Sequence, residues 1–237
     1  MPGGAEPRLW VVGAAGQVPL APRRLVVAGY TGRDEAAVRA HIDELAAAGI
    51  APPPTVPTFY PLDPALVTTA PVVGIGGANT SGEVEPVLVR AAGRWYLGVG
   101  SDHTDRELER ADIARSKAAC PKPVGDQVIP LPGGPETLDW DDVSASSEVD
   151  GRRYQAGRLA ALRTPGDLWR RTVDALGDPG DDLVLFGGTL PLLDGHFVTG
   201  RSWQVRLALP DGRTLTHTYQ TSDRSDPCVP DPTTSPR

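Results

Sequence analysis

The sequence predicts an α+β, strand-rich fold, and three observations carry that expectation. Glycine and proline number 27 and 25 of 237 residues, which sets many turns and favours short strands over a helical bundle. Runs rich in β-branched and aromatic residues, at 24–30, 84–89, 95–99, 183–186 and 204–209, are bounded by Gly, Pro or Asp. Residues 34–48 read as the clearest helix. A chain of this length buries one sizeable core.

In chain order, residues 1–24 form a small N-terminal hairpin whose arms, 9–12 and 17–20, flank a glycine-alanine turn. Residues 24–30 are a buried strand ending at Gly29-Tyr30. Helix 34–48 has Asp34 in its first turn, an alanine-rich interior and Gly49 as its stop, with Val38, Ile42 and Leu45 as its apolar stripe. His41 and Glu44, three apart, are neighbours on its surface. The proline-rich connection 51–61 is stiff and holds helix 33–49 like a hinged cover. Gly76-Gly77 lacks the strand-glycine-helix context of a dinucleotide fingerprint. A charged helix runs from His103 to about Ala119; it lacks the glycine and glutamate spacing of an EF-hand. Strands follow at 126–131 and 138–150, and 154–162 reads as peripheral. Thr164 caps a helix reaching Leu176, with Pro165 in its first position. Strand 183–186 enters Gly187-Gly188-Thr189, where glycines let backbone approach a ligand and Thr189 offers a hydroxyl. The Asp211-Gly212 turn joins a closing hairpin. Residues 221–237, almost all small and polar, read as a disordered tail.

Formal net charge is −7 with no Lys/Arg cluster, which argues against a nucleic-acid or anionic-membrane partner. Cys120 and Cys228 lie far apart, one of them in the tail, so a structural disulfide is not expected and a reducing cytoplasm fits. No run has the length of a membrane span or the pattern of a leader. The expectation is a soluble, cytoplasmic protein.

The chemistry concentrates between Ser81 and Asp105. Glu83 and Glu85 are two apart in a β-branched run, so strand geometry points both to one face. The turn at 91–94 and the strand Trp95–Val99 would return Asp102 toward them. Three carboxylates with no fixed Lys or Arg among them form a hard oxygen-ligand set suited to Mg2+ or Mn2+, with Ca2+ also compatible. An isolated E-x-E is ordinarily a solvated strand face, and a lysine at a helix end, as Lys117 is, ordinarily compensates the helix dipole.

Taken in order, these pieces resemble the fumarylacetoacetate hydrolase superfamily, in a divergent bacterial branch associated with a domain of unknown function. The resemblance runs from about Val26 to Tyr219. Strand 25–29 followed by His41 and Glu44 looks like the family's N-terminal strand and catalytic pair, and Pro57-Thr58-Phe59-Tyr60 is similar to the segment before its substrate pocket. Glu83 and Glu85 match its E-x-E metal ligands. Asp102, Thr104 and Arg106 in S-D-H-T-D-R-E-L-E match its N-D-x-[ST]-x-R-D-x-Q signature. Lys117 falls on its site lysine, and Gly188 and Thr189 lie in a G-G-T-L-P that resembles its G-T-P element. Departures are a Tyr30 to His41 spacing of eleven, Ser101 for asparagine, Glu109 for glutamine, and Pro86 after the second glutamate, which implies an edge or bulge there.

The resemblance implies a mixed β-sandwich roll over 25–220 and a metal-dependent hydrolase cleaving a carbon–carbon bond of an oxo-acid or acylpyruvate, commonly as a homodimer. It gives Glu83, Glu85 and Asp102 to the metal and His41, oriented by Glu44, to water activation. Lys117 would hold the substrate carboxylate or developing charge. Tyr60, Arg106, Gly188 and Thr189 would contact substrate. Two other readings keep the pocket: a decarboxylase or hydratase of a keto acid, and a non-catalytic metal-dependent binder.

Overall fold

The computed structural model describes residues 8–13, 16–47 and 52–224. An eight-stranded sheet runs in the order Gln17–Pro19, Arg8–Val11, Gln127–Leu131, Arg94–Ser101, Val84–Ala91, Leu183–Phe186, Arg24–Gly29, Thr58–Leu62. A five-stranded sheet, Arg152–Arg158, Ser144–Val149, Ser202–Ala208, Thr214–Asp223 and Val72–Ile75, packs against one of its faces.

The period of two explains why the large sheet is buried on both sides. Val26, Ala28, Val84, Leu88, Leu183 and Leu185 meet Ala145, Val205, Leu207 and Leu215 of the second sheet in one core. Their alternates Leu25, Val27, Val87, Val89, Val184 and Phe186 form a second core with Leu9, Val18, Val124 and Val128. Tyr60, Leu62, Leu66 and Val67 pack against that second core. The strand-rich fold class expected from sequence is the observed one.

Several local expectations change. The small N-terminal hairpin does not stand apart, because Trp10 and Val11 pair in parallel with Gln127 and Val128 and extend the large sheet. Pro86 lies in a central strand rather than at an edge. Its pairing with Leu183–Phe186 stops at Val87, and Gly187 N–H then donates to the Pro86 carbonyl, so the missing proline N–H interrupts nothing. The charged segment after Asp102 breaks into two short helices, Arg106–Glu109 and Ile113–Ala118, because Asp105 and Asp112 each cap a new helix start. Residues 154–162 are not peripheral: Tyr154, Gln155, Leu159 and Leu162 are buried. The final strand reaches Asp223 and pairs with Val72–Ile75, so the expected tail does not begin at residue 221. The rest of that tail, with Cys228, lies outside the described residues.

Candidate active site

Five chain segments reach one end of the large sheet. Val84–Ala91 and Arg94–Ser101 pair antiparallel through the two-residue Ala92-Gly93 turn, both residues of which have positive φ. Glu85 therefore faces Gly100, and the ladder continues outward with Asp102 N–H donating to the Glu83 carbonyl at 3.0 Å. The hairpin thus returns Asp102 to the glutamates. Leu183–Phe186 runs antiparallel to Val84–Ala91 and delivers Gly187-Gly188-Thr189 to the same end. Arg24–Gly29, parallel to it, delivers Tyr30. Thr58–Leu62 starts there and brings Tyr60, whose ring centroid is 5.9 Å from Lys117 Nζ.

The carboxylates are not without fixed cations, which corrects the expectation above. Lys117 Nζ donates to Asp102 Oδ2, and Lys122 Nζ stands 3.2 Å from Asp102 Oδ1. Arg106 donates to Glu83 Oε2 at 2.9 Å, to both oxygens of Glu109 and to Ser81 Oγ, while the Phe197 ring stacks on its guanidinium at 3.6 Å. Arg106 is therefore a buried strut with its donors turned to protein, not an open substrate contact.

Burial opposes the charge of Asp102, but Lys117 and then Lys122 outweigh it and bring its pKa down to about 2. Burial also opposes charge on Lys117; Asp102, Glu85 and Glu83 reverse this and raise its pKa. Glu85 is the odd member. Burial, then the nearby Asp102, pushes its pKa well above the carboxylate range, with Lys117 and one Gly188 N–H at 2.8 Å acting the other way. Three cations, Lys117, Lys122 and Arg106, face four carboxylates, and Glu85 is the one with no salt bridge of its own.

The remaining candidates are tied into the frame. Gly188 adopts φ +94°, and a Cβ there would lie 1.7 Å from Thr31 Oγ1. A Gly188→Ala variant should lose about 1–3 kcal/mol from backbone strain and collision; urea unfolding that matches wild type would refute this. Thr189 donates to the Val84 carbonyl at 2.8 Å and accepts from Gln155 Nε2 at 2.7 Å, so both hydroxyl roles are internal. His41 and Glu44 do form a pair, at 3.8 Å, but their side chains are 61% and 79% exposed on helix Glu35–Ala47. Neither has a contact with the carboxylates in this conformation.

Sequence reasoning missed Lys122, His103 and Gln155. His103 is wholly buried, and its ring nitrogens meet Tyr219 Oη at 3.0 Å and Thr80 Oγ1 at 2.9 Å. Tyr219 donates onward to Ser101 Oγ, so it accepts from Nδ1–H, and Nε2 accepts from Thr80. Burial, then Lys122 and Arg106, lower its pKa to about 3 and keep it neutral. Gln155 accepts from Val84 N–H and donates to the Leu190 carbonyl, clamping the glutamate strand to the glycine loop. No spacing or motif marks Lys122. The Arg106–Glu109 pair was legible as neighbours three apart on a helix.

Among the described residues no group of three His, Cys, Asp or Glu side chains has a metal-holding arrangement. Glu83, Glu85 and Asp102 thus do not gather into one chelating set, because Arg106 draws Glu83 and Lys117 covers Asp102. Two carboxyl groups there nevertheless have the chemistry of hard-ion donors. The Lys122 ammonium spends its protons on the carbonyls of His103, Lys117 and Cys120, leaving Asp102 Oδ1 buried without a hydrogen bond. That oxygen and the carboxyl of Glu85, once its proton is displaced, are hard oxygen donors.

Solved structures share this architecture. Fumarylpyruvate hydrolase from Pseudomonas aeruginosa, determined with Mn2+ and pyruvate, matches with TM-score 0.62 at 18% identity over 94% of this chain and 98% of that one. A protein from Oleispira antarctica, provisionally assigned as a fumarylacetoacetate isomerase/hydrolase, gives TM-score 0.62 at 18% identity over 90% and 99% of the two chains. The 5-carboxymethyl-2-hydroxymuconate delta-isomerase of Mycobacterium smegmatis gives 0.55 at 16% identity over 86% and 79%. No curated protein matches the chain in sequence. Residues 28–219 match the family described as protein of unknown function DUF2848. With that match across most of its length and the fold shared with fumarylacetoacetate-hydrolase-type enzymes, the chain belongs to the DUF2848 family, a divergent member of that fold.

Proposed function

We infer that the protein is a divalent-metal-dependent enzyme that cleaves a carbon–carbon bond beside a carbonyl in a small oxo-acid. The observation that carries this reading is Glu85, a fully buried carboxyl with one backbone N–H and no salt bridge, near enough to Asp102 for the two to repel. Asp102 has Lys117 and Lys122, but Glu85 has no cation of its own, and its ionised form is costly to bury unless one joins it. Mg2+ or Mn2+ bound there supplies Lewis-acid stabilisation of negative charge developing on a substrate oxygen.

Glu85 and Asp102 would be the principal donors, with Glu83 joining if its link to Arg106 opens. Lys117 lies between Asp102 and the Tyr60 ring and would move its ammonium onto a substrate carboxylate. Burial, followed by the influence of Tyr30, raises the Tyr60 pKa to about 12, so its phenol stays protonated and can donate a hydrogen bond. His41, oriented by Glu44, would serve as base only after the helix Glu35–Ala47 swings toward the sheet end, a motion of the kind that assembles sites under lids. Cytoplasmic location and a homodimer belong to the same proposal.

The test is turnover of an acylpyruvate and oxaloacetate panel with Mn2+, with and without chelator. Chelation should abolish turnover, and His41→Ala should lower kcat by 100-fold or more. A panel without metal-dependent turnover removes the hydrolase reading. The exposure of His41 favours one second reading, a metal-dependent binder of the same ligands, for which ligand binding persists and no product forms.

A further inference from the structure

Asp102 carries two lysines on its two oxygens, and they differ in kind. Lys122 is wholly buried, and its three protons are fixed on the carbonyls of His103, Lys117 and Cys120. Lys117 keeps about a tenth of its side chain exposed and makes one hydrogen bond, to Asp102, with the Tyr60 ring beside it. A buried carboxylate that loses its counter-ion is strongly destabilised. A site lysine that is the sole counter-ion of such a carboxylate is therefore locked in place.

We propose that Lys122 is a positioning residue that acts as the permanent counter-ion of Asp102, so that Lys117 is free to leave Asp102 for an anionic ligand. The roles divide by geometry. Lys122 cannot move without orphaning three carbonyls, one from the residue after Asp102 and one from Lys117 itself. Lys117 exchanges one partner for another. The same three carbonyl bonds hold the hairpin return and the end of helix Ile113–Ala118 at fixed distance from Asp102. The use of the freed ammonium rests on the proposed function above, but the division of labour is measurable in the protein alone, without substrate or metal.

The experiment compares the rate at which an amine-reactive reagent labels Lys117, read by peptide mass spectrometry, in the wild-type protein and in the Lys122→Gln and Lys122→Met variants. Removing the second cation leaves Lys117 as the sole partner of Asp102, so its labelling should slow by roughly tenfold. A merely structural role for Lys122 would loosen the region and speed labelling, and either faster or unchanged labelling overturns the proposal. Lys117→Met provides an arm that survives misfolding of the Lys122 variants. With Lys122 in place it should stay folded, with a Tm within a few degrees of wild type, whereas loss of cooperative unfolding would overturn the proposal. A failed turnover panel with slowed labelling would sink the enzymatic reading and leave this one standing.

Discussion

Replacing Asp102 by Asn should cost about 3–5 kcal/mol of stability at neutral pH, because it leaves two buried ammonium groups with no anion between them. For a chain of this size that lowers Tm by roughly 10 °C. The shape is conserved and only the charge is removed, so the loss isolates electrostatics from packing. Lys122, whose pKa is already lowered by burial, would shed its proton first and set the lower bound of the cost. The pH dependence has a definite sign. The folded pKa of Asp102, about 2, lies below that of the unfolded chain, so its contribution is present above the ordinary carboxylate range and is lost as pH falls toward about 2. Wild type should show that acid slope in urea unfolding and Asp102→Asn should lack it. A variant as stable as wild type at pH 7 would show that Asp102 is not the anchor of this cluster.

Mn2+ should stabilise the protein, and more strongly at pH 8 than at pH 5. Glu85 has its folded pKa raised, so the folded state keeps a proton that the unfolded state has released. Stability therefore declines as pH rises from the ordinary carboxylate range through the folded pKa of Glu85. A divalent ion replaces that proton and reverses the decline. At a hundredfold excess over its Kd the ion contributes about 2.7 kcal/mol, equivalent to roughly 5–10 °C in Tm. Glu85→Gln should abolish the shift while raising the metal-free Tm at pH 8. Thermal scans across the two pH values decide this: no shift at pH 8 removes the metal from the proposal, and the same shift in Glu85→Gln removes Glu85 as its ligand.

What was legible in the sequence shares one physical basis. The E-V-E-P-V-L-V run, the Ala92-Gly93 turn and the W-Y-L-G-V run encode a hairpin through local propensity, and a hairpin has only one way to return Asp102 to Glu83. Thr164 capping its helix and the Asp211-Gly212 hairpin were readable for the same reason. Tyr154 and Gln155 were misplaced because strand Arg152–Arg158 alternates poorly, and the side chain of Gln155 is buried for its four hydrogen bonds rather than for apolarity. Pro86 misled because a rule about ladder hydrogen bonds depends on where the neighbouring strand ends.

The sequence by itself determined that Glu83, Glu85 and Asp102 lie at one end of one hairpin, since they are within about twenty residues of one another. Only the tertiary structure decided which charges balance them. Lys117 and Lys122 reach Asp102 from a helix end and a two-residue strand, and Arg106 turns inward to Glu83 because Phe197, ninety-one positions further on, covers it. Local propensity acts over a few residues, whereas Coulomb energy in a buried site depends on distances that chain spacing does not encode.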